Sequence, residues 1–235
     1  MRTATKIKVT HVIFDLDGLL LDSESIYTRV NEEIMLSYGK RYTMGLKAKM
    51  AGMKMDDGIK LMLEQENLTG RVTLEQYRKK YLELSDKYLP DSKLMPGAMR
   101  LVKHFAKHFI PMALCTGSNT AEFKVKMQNH SELSKLISLR VLADDPAVMR
   151  GKPAPDSFLV TMQRFPQKPA SAANVVVFED SVNGVLAAIA AGMQVVMVPD
   201  LRYSKPPVEC KGKISMVLKS LLEFQPELLG LPPFD

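Results

Sequence analysis

The sequence predicts an α/β protein: a doubly wound, Rossmann-like parallel sheet with a small all-helical insert after its first strand. Three observations predict it. Short apolar runs rich in β-branched residues alternate with longer helical patterns, as expected of parallel strands buried on both faces. The stretch VVVFEDSVNGVLAAIAAGMQVVMV reads as strand, helix and strand without a break. Between about residue 23 and residue 92 the strand-like runs stop and only helical periodicity remains.

The first strand is VIF at 12 to 14. Ile26, Val30, Ile34 and Tyr38 then recur every four residues and predict the first helix of the insert. A second helix is expected over 55 to 67. A third starts at Thr73, where Thr73 and Gln76 can form a capping box, and it sets Leu74, Tyr77, Tyr81, Leu84 and Tyr88 near one face. Pro90 and the Pro96-Gly97 pair mark the return to the core, which resumes with a helix over 97 to 108. The remaining strands are IPMALC at 110 to 115, LRVLA at 139 to 143, VVVF at 175 to 178 and VVMV at 195 to 198. Ser181 can cap the helix SVNGVLAAIAAG at its start, and Gly192 can sit just past its end. The expected organisation is an α/β core formed by residues 1–22 and 93–235, with a helical insert at 23–92.

Length and composition allow this plan. A chain of 235 residues can build one core of ~150 residues plus a smaller insert, burying roughly 70 to 75% of its unfolded surface. Hydrophobic residues at 46%, charged residues at 25% and a mean hydropathy of -0.06 argue against disorder and against a membrane protein. No run of about 18 uninterrupted apolar residues is present, and the N-terminus lacks the apolar stretch of a signal peptide. A cytoplasmic monomer is therefore expected, and Asn67-Leu68-Thr69 and Asn129-His130-Ser131 read as chance glycosylation triplets. Cys115 and Cys210 cannot form a disulfide framework, and the first closes a buried apolar run. The net charge of +6 suits an anionic partner, but the basic residues are scattered and no recognition motif accompanies them. A small phosphorylated molecule fits that charge, and a nucleic-acid polymer is not expected.

Candidate site residues gather at the strand ends. Asp15 and Asp17 lie where the strand VIF stops, which is where doubly wound sheets bind ligands. Asp17-Gly18 alone could be only a turn. IPMALC, however, runs into Thr116-Gly117-Ser118-Asn119, a hydroxyl and free backbone at a helix start, well placed to hold phosphate oxygens. VVVF ends in the pair Glu179-Asp180, and Lys152 stands ahead of another helix. Carboxylates crowded on one rim repel one another unless a cation joins them, and oxygen ligands with room for water and phosphate suit Mg²⁺. The pair His104 and His108 is a rival metal site, discounted because no nearby carboxylate suggests a third ligand.

In their order, DLDGLLLDSE, the Thr116 strand end, Lys152 and Glu179-Asp180 resemble the four motifs of the haloacid dehalogenase superfamily. The helical insert resembles that superfamily's small cap. The longer stretches THVIFDLDGLLLDSE, GKPAPDSFL and VVFEDSVNGV extend the resemblance toward members acting on nucleotide-like monophosphates such as pseudouridine 5′-phosphate. The resemblance implies a Mg²⁺-dependent phosphatase working through an aspartyl phosphate. Asp15 would be the nucleophile and Asp17 the proton carrier. Lys152 would pair with Asp15, and Thr116, Gly117 and Ser118 would seat the phosphate. The metal would be held by Asp15, the carbonyl of Asp17 and Asp180, with Glu179 in its outer shell. A phosphosugar mutase of the β-phosphoglucomutase type carries the same motifs and is the alternative. The segment AGMKMDD at 51 to 57 is the candidate specificity loop, with Lys54 as a substrate contact.

Overall fold

The computed structural model describes residues 7–50, 53 and 55–235. Its strands are β1 (His11–Phe14), β2 (Met112–Cys115), β3 (Leu139–Val141), β4 (Val175–Glu179), β5 (Gln194–Met197) and β6 (Met216–Val217). They form one parallel sheet in the order β3-β2-β1-β4-β5-β6. The chain steps from β1 outward through β2 to β3, then crosses to the other side of β1 for β4, β5 and β6. That reversal opens a crevice beyond the carboxyl ends of β1 and β4, the usual binding place in such sheets.

Alternation along the central strands explains why they read as unbroken apolar runs. Val12 and Phe14 face one core with Val176 and Phe178, while Ile13 faces the other with Val175 and Val177. The first core is closed by α5 (Ala98–Lys107), α6 (Thr120–Met127) and α7 (Ser131–Leu136), and the second by α8 (Asp156–Arg164) and α9 (Val182–Ala190). Ser181 accepts a hydrogen bond from the Gly184 amide at the start of α9, and Gly192 lies just past its end at a φ of 75°.

Between β1 and α5 the chain forms α1 (Ser23–Leu36), α2 (Met44–Met50), α3 (Met55–Gln65) and α4 (Leu74–Tyr88). These helices have their own apolar cluster, in which Ile26, Val30, Ile34, Met62 and Tyr77 are buried. The Thr73 capping box with Gln76 is present, and the Tyr77 hydroxyl donates to Asn31 Oδ1 across the cluster at 2.9 Å. A narrow neck joins this layer to the sheet. The Asp22 amide donates to the Lys93 carbonyl at 2.8 Å, the Met95 amide to the Leu20 carbonyl at 2.9 Å, and Leu21 bridges Leu94 in antiparallel fashion.

The differences from expectation are local. Tyr38 falls beyond α1, which stops at Leu36, so the four-residue spacing outlasts the helix by half a turn. The two-residue edge strand β6 and the short helices α2 and α7 give too few residues for a period to show. Cys115 and Cys210 are both buried free thiols. His104 Nε2 is hydrogen-bonded to the Pro232 carbonyl at 2.9 Å, so this histidine docks the C-terminal segment, while His108 lies just past the end of α5. No helix among the described residues is long and apolar enough to cross a membrane.

Candidate active site

β1 delivers Asp15 to the rim, and its amide still continues the ladder by donating to the Phe178 carbonyl at 3.0 Å. Lys152 reaches the same point from the loop before α8. Its Nζ donates to Asp15 Oδ1 at 2.6 Å, to Glu179 Oε1 at 2.6 Å and to the Cys115 carbonyl at 3.1 Å. One ammonium thus ties together the ends of β1, β2 and β4. Burial works against a charged lysine, but Asp15 and Glu179 outweigh it and hold Lys152 well above the ordinary lysine value.

Glu179 is committed on both oxygens. Besides Lys152 on Oε1, Oε2 accepts from the amides of Asp180 and Ser181 and from the Ser181 hydroxyl, each at 3.0 Å. Those amides open α9, so the helix start adds its own favourable field. Gly184 on α9 makes room for this carboxylate: a Cβ there would lie 1.7 Å from Glu179 Oε1. The carboxylate is pinned by four donors and cannot swing aside cheaply. Gly184→Ala is therefore expected to cost about 1–3 kcal/mol or more through overpacking and to loosen Lys152. A thermal melt checks this, and an unchanged Tm would count against it.

Gly18 shows the same economy of space. At a φ of 77° it adopts a left-handed turn, and a Cβ on it would lie 2.3 Å from Asp180 Oδ2. The Asp17-Gly18 turn thereby brings Asp180 against the end of β1. Among the described residues Asp15, Glu179 and Asp180 offer oxygens within 4.8 Å of one another. Burial, assisted by neighbouring carboxylates, raises Asp15 from 3.8 to about 7 and Asp180 well above the ordinary value. With Asp17 nearby, the rim gathers four carboxyl groups against the ammoniums of Lys152 and Lys126, and their full ionisation would leave an excess of two negative charges. An all-oxygen donor set with that deficit fits a hard divalent cation.

Asp17 has a separate network. Its Oδ1 accepts from the Ser23 hydroxyl at 2.6 Å and from Lys126 Nζ at 2.7 Å; its Oδ2 accepts from the Ser118 hydroxyl at 2.7 Å and the Thr116 hydroxyl at 3.2 Å. Burial opposes the charged form here too. The Lys126 cation and the donors from Lys126, Ser23 and Ser118 outweigh it and hold the carboxyl below its usual range. Lys126 and Ser23 were not anticipated from the sequence. In this arrangement the Ser118 hydroxyl is engaged with Asp17 and Lys126, while Gly117 is exposed, with open space beside its Cα.

A cavity of about 300 Å³ lies between the helical layer and the sheet. Tyr27, Asn31 and Tyr81 line it from the helices, Tyr42 from the loop before α2, and Tyr203 from the core. Lys47 joins the two sides: it pairs with Glu24 at 2.9 Å and lies 4.3 Å from the centre of the Tyr203 ring. Tyr27 connects the cavity to the Asp17 network, since Lys126 Nζ lies 5.3 Å from its ring centre. Lys54 lies outside the described residues, and Lys47 is the lysine seen in this cavity wall.

The chain and its fold are both similar to known proteins. The sequence matches the haloacid dehalogenase-like hydrolase family over residues 9–192. It is 42% identical to the (DL)-glycerol-3-phosphatase 2 of Arabidopsis thaliana, over 99% of this chain and 96% of that one. It is also 42% identical to a Drosophila melanogaster protein named "Probable pseudouridine-5'-phosphatase", over 97% of this chain and 96% of that one. A crystal structure of a haloacid dehalogenase family hydrolase from Deinococcus radiodurans, with bound phosphate and sodium, superposes with a TM-score of 0.79 at 24% identity. That superposition covers 97% of this chain and all of the other, and it shows the shared fold. A strand-end rim with two aspartates, a lysine and an acidic pair, set in this fold and matched over most of the chain, places the protein in the haloacid dehalogenase-like hydrolase family.

Proposed function

We propose that the protein is a Mg²⁺-dependent phosphomonoester hydrolase acting through an aspartyl phosphate on Asp15. The observation that carries this reading is the convergence of Asp15, Lys152, Glu179 and Asp180 at the ends of β1 and β4. Unaided hydrolysis of a phosphate monoester is slow enough that the required acceleration approaches ~10²¹-fold. A carboxylate nucleophile divides the task into two easier steps.

In the first step an Asp15 oxygen attacks phosphorus, the ester bond breaks, and Asp17, which takes up a proton as the phosphate dianion enters, gives it to the departing alkoxide. In the second step water attacks the aspartyl phosphate while Asp17 takes its proton, and inorganic phosphate leaves. Lys152 lowers the repulsion in the first approach: at ~4 Å and an effective dielectric of ~20, each pair of unit charges repels by about 4 kcal/mol. Thr116 and the Gly117 amide flank the phosphate seat. Asp15, the Asp17 carbonyl and Asp180 would hold Mg²⁺, with Glu179 behind them as the group that positions Lys152. When bound, the ion supplies the positive charge that the rim lacks.

The helical layer at 23–92 acts in this reading as a cap over the leaving group. Its cavity of about 300 Å³ lies at the small end of the ~300–1,000 Å³ range for small-molecule sites. Tyrosine hydroxyls and Asn31 suit a polyhydroxylated leaving group. Both names carried by the two 42% relatives fit that description, so glycerol 3-phosphate and pseudouridine 5′-phosphate are the candidate substrates.

The test is phosphate release from glycerol 3-phosphate, pseudouridine 5′-phosphate and a panel of sugar phosphates, with Mg²⁺ and without a bisphosphate activator. Release from at least one supports hydrolysis. Conversion of one sugar phosphate to another without release would instead identify a mutase.

A second measurement addresses the metal. A buried carboxyl raised to about 7 keeps its proton in the folded chain where the unfolded chain has lost it. In EDTA, the contribution of Asp15 to stability is therefore expected to fall as pH rises from about 4 to about 7. Millimolar Mg²⁺ is expected to restore it at about pH 7.5, raising Tm by about 2–4 °C per kcal/mol of binding. Identical melts in EDTA and Mg²⁺ at that pH would contradict the metal assignment.

A further inference from the structure

We propose that Lys126 is a positioning residue for the reaction: its ammonium fixes the Asp17 carboxylate in the orientation from which it exchanges a proton with the leaving oxygen. The inference rests on the reading of Asp17 as the proton carrier.

Lys126 lies in the second half of α6, and its side chain is 2% exposed. It shares the buried face of that helix with Phe123 and Met127, where an apolar residue would be expected. Burying an ammonium is costly unless its partners compensate. Its partners are two rim residues: Nζ lies 2.7 Å from Asp17 Oδ1 and donates to Ser118 Oγ at 2.7 Å. The lysine therefore reaches into the candidate site and ends on the Asp17 carboxylate.

Geometry gives this contact a specific task. The other three groups that hold Asp17 are the hydroxyls of Ser23, Ser118 and Thr116, neutral donors that rotate. The Lys126 contact is the one between full charges and the stronger constraint. Ser23 opens α1, in the helical layer, whereas Lys126 and Ser118 belong to the sheet side. Lys126 thus ties the carboxylate to the sheet independently of the helices. A simple pin fastening α6 to the core would have no need to end on Asp17. The nearby Tyr27 ring, a wall of the cavity, places the same ammonium on the leaving-group side of the site.

The distinguishing experiment varies the leaving group. p-Nitrophenolate departs without a proton, whereas the alkoxide of an alkyl monoester needs one. The ratio kcat/KM reports steps up to the first ester cleavage and so isolates that proton transfer. Lys126→Met, Lys126→Arg and Asp17→Asn are compared with Mg²⁺ on p-nitrophenyl phosphate and on the alkyl monoester that the wild-type protein cleaves fastest.

Asp17→Asn and Lys126→Met are both expected to lose about 100-fold on the alkyl ester and less than about 5-fold on p-nitrophenyl phosphate. Lys126→Arg, which keeps the charge, is expected to recover about tenfold of the loss on the alkyl ester. If Lys126→Met does not fold, Lys126→Gln is read in the same way. Equal losses on both esters for the Lys126 variants, beside a selective Asp17→Asn, would reduce Lys126 to a structural pin and overturn the inference. An unselective Asp17→Asn would instead overturn the proton role of Asp17, and the task assigned to Lys126 with it.

Discussion

Replacing Asp15 by Asn is expected to lower phosphate release by about 10⁴-fold or more, because an amide oxygen is a poor nucleophile and neither Glu179 nor Asp17 is free to take its place. Glu179 is held on both oxygens by Lys152, Ser181 and the opening amides of α9, and Asp17 is held by four donors on its own side of the rim. Stability is expected to move the other way. Burial already disfavours the charged form of Asp15, raising it to about 7, and its carboxylate neighbours add to that. A neutral, isosteric amide removes one of the crowded charges. The metal-free variant should melt no lower than the wild type at about pH 7.5. Loss of activity together with loss of stability would mean that Asp15 is chiefly structural, contrary to the proposed mechanism.

Lys152→Ala is expected to impair both properties. The ammonium touches Asp15, Glu179 and the Cys115 carbonyl, so its removal strands two buried carboxylates and frees three strand ends. Breaking a buried ion pair from one side costs about 3–5 kcal/mol. At about 2–4 °C per kcal/mol for a chain of this size, Tm should fall by roughly 6 to 20 °C. The loss should grow as pH rises from about 6 to 9, because Lys152 offsets part of the burial that raises Asp15, and without it the folded chain keeps the Asp15 proton to higher pH while the unfolded chain has lost it. Activity should fall by about 10²–10³-fold, as for removal of one preorganised electrostatic group. A variant with wild-type Tm and turnover would show that Lys152 acts neither as brace nor as counter-charge.

The sheet was legible because its central strands are buried on both faces, so that VIF, MALC and VVVF appear as unbroken apolar runs with polar residues just beyond. The same logic made Asp15, Thr116 and Glu179-Asp180 visible, each being a polar residue at the end of such a run. Lys126 escaped because one lysine in FKVKMQ resembles any solvated helix lysine; the available signal was its place on the face of Phe123 and Met127. Ser23 was not visible as a site residue, since a hydroxyl six residues from Asp17 becomes its partner only after the chain has turned at Gly18. Lys47 pairs with Glu24 from another helix, and no local spacing links residues so far apart in sequence.

The neck formed by Leu20–Asp22 and Lys93–Met95 gives the molecule a splice point. Its two segments lie side by side and are tied by backbone hydrogen bonds, so the insert leaves and rejoins the core at one place. Whatever is threaded between them leaves the ladder of β1 with β2 and β4 untouched. Recombination or design can therefore exchange the helices as a cassette, changing what is admitted to the rim while the sheet-borne groups Asp15, Lys152, Glu179 and Asp180 are inherited, provided that the Ser23 hydroxyl on Asp17 is kept.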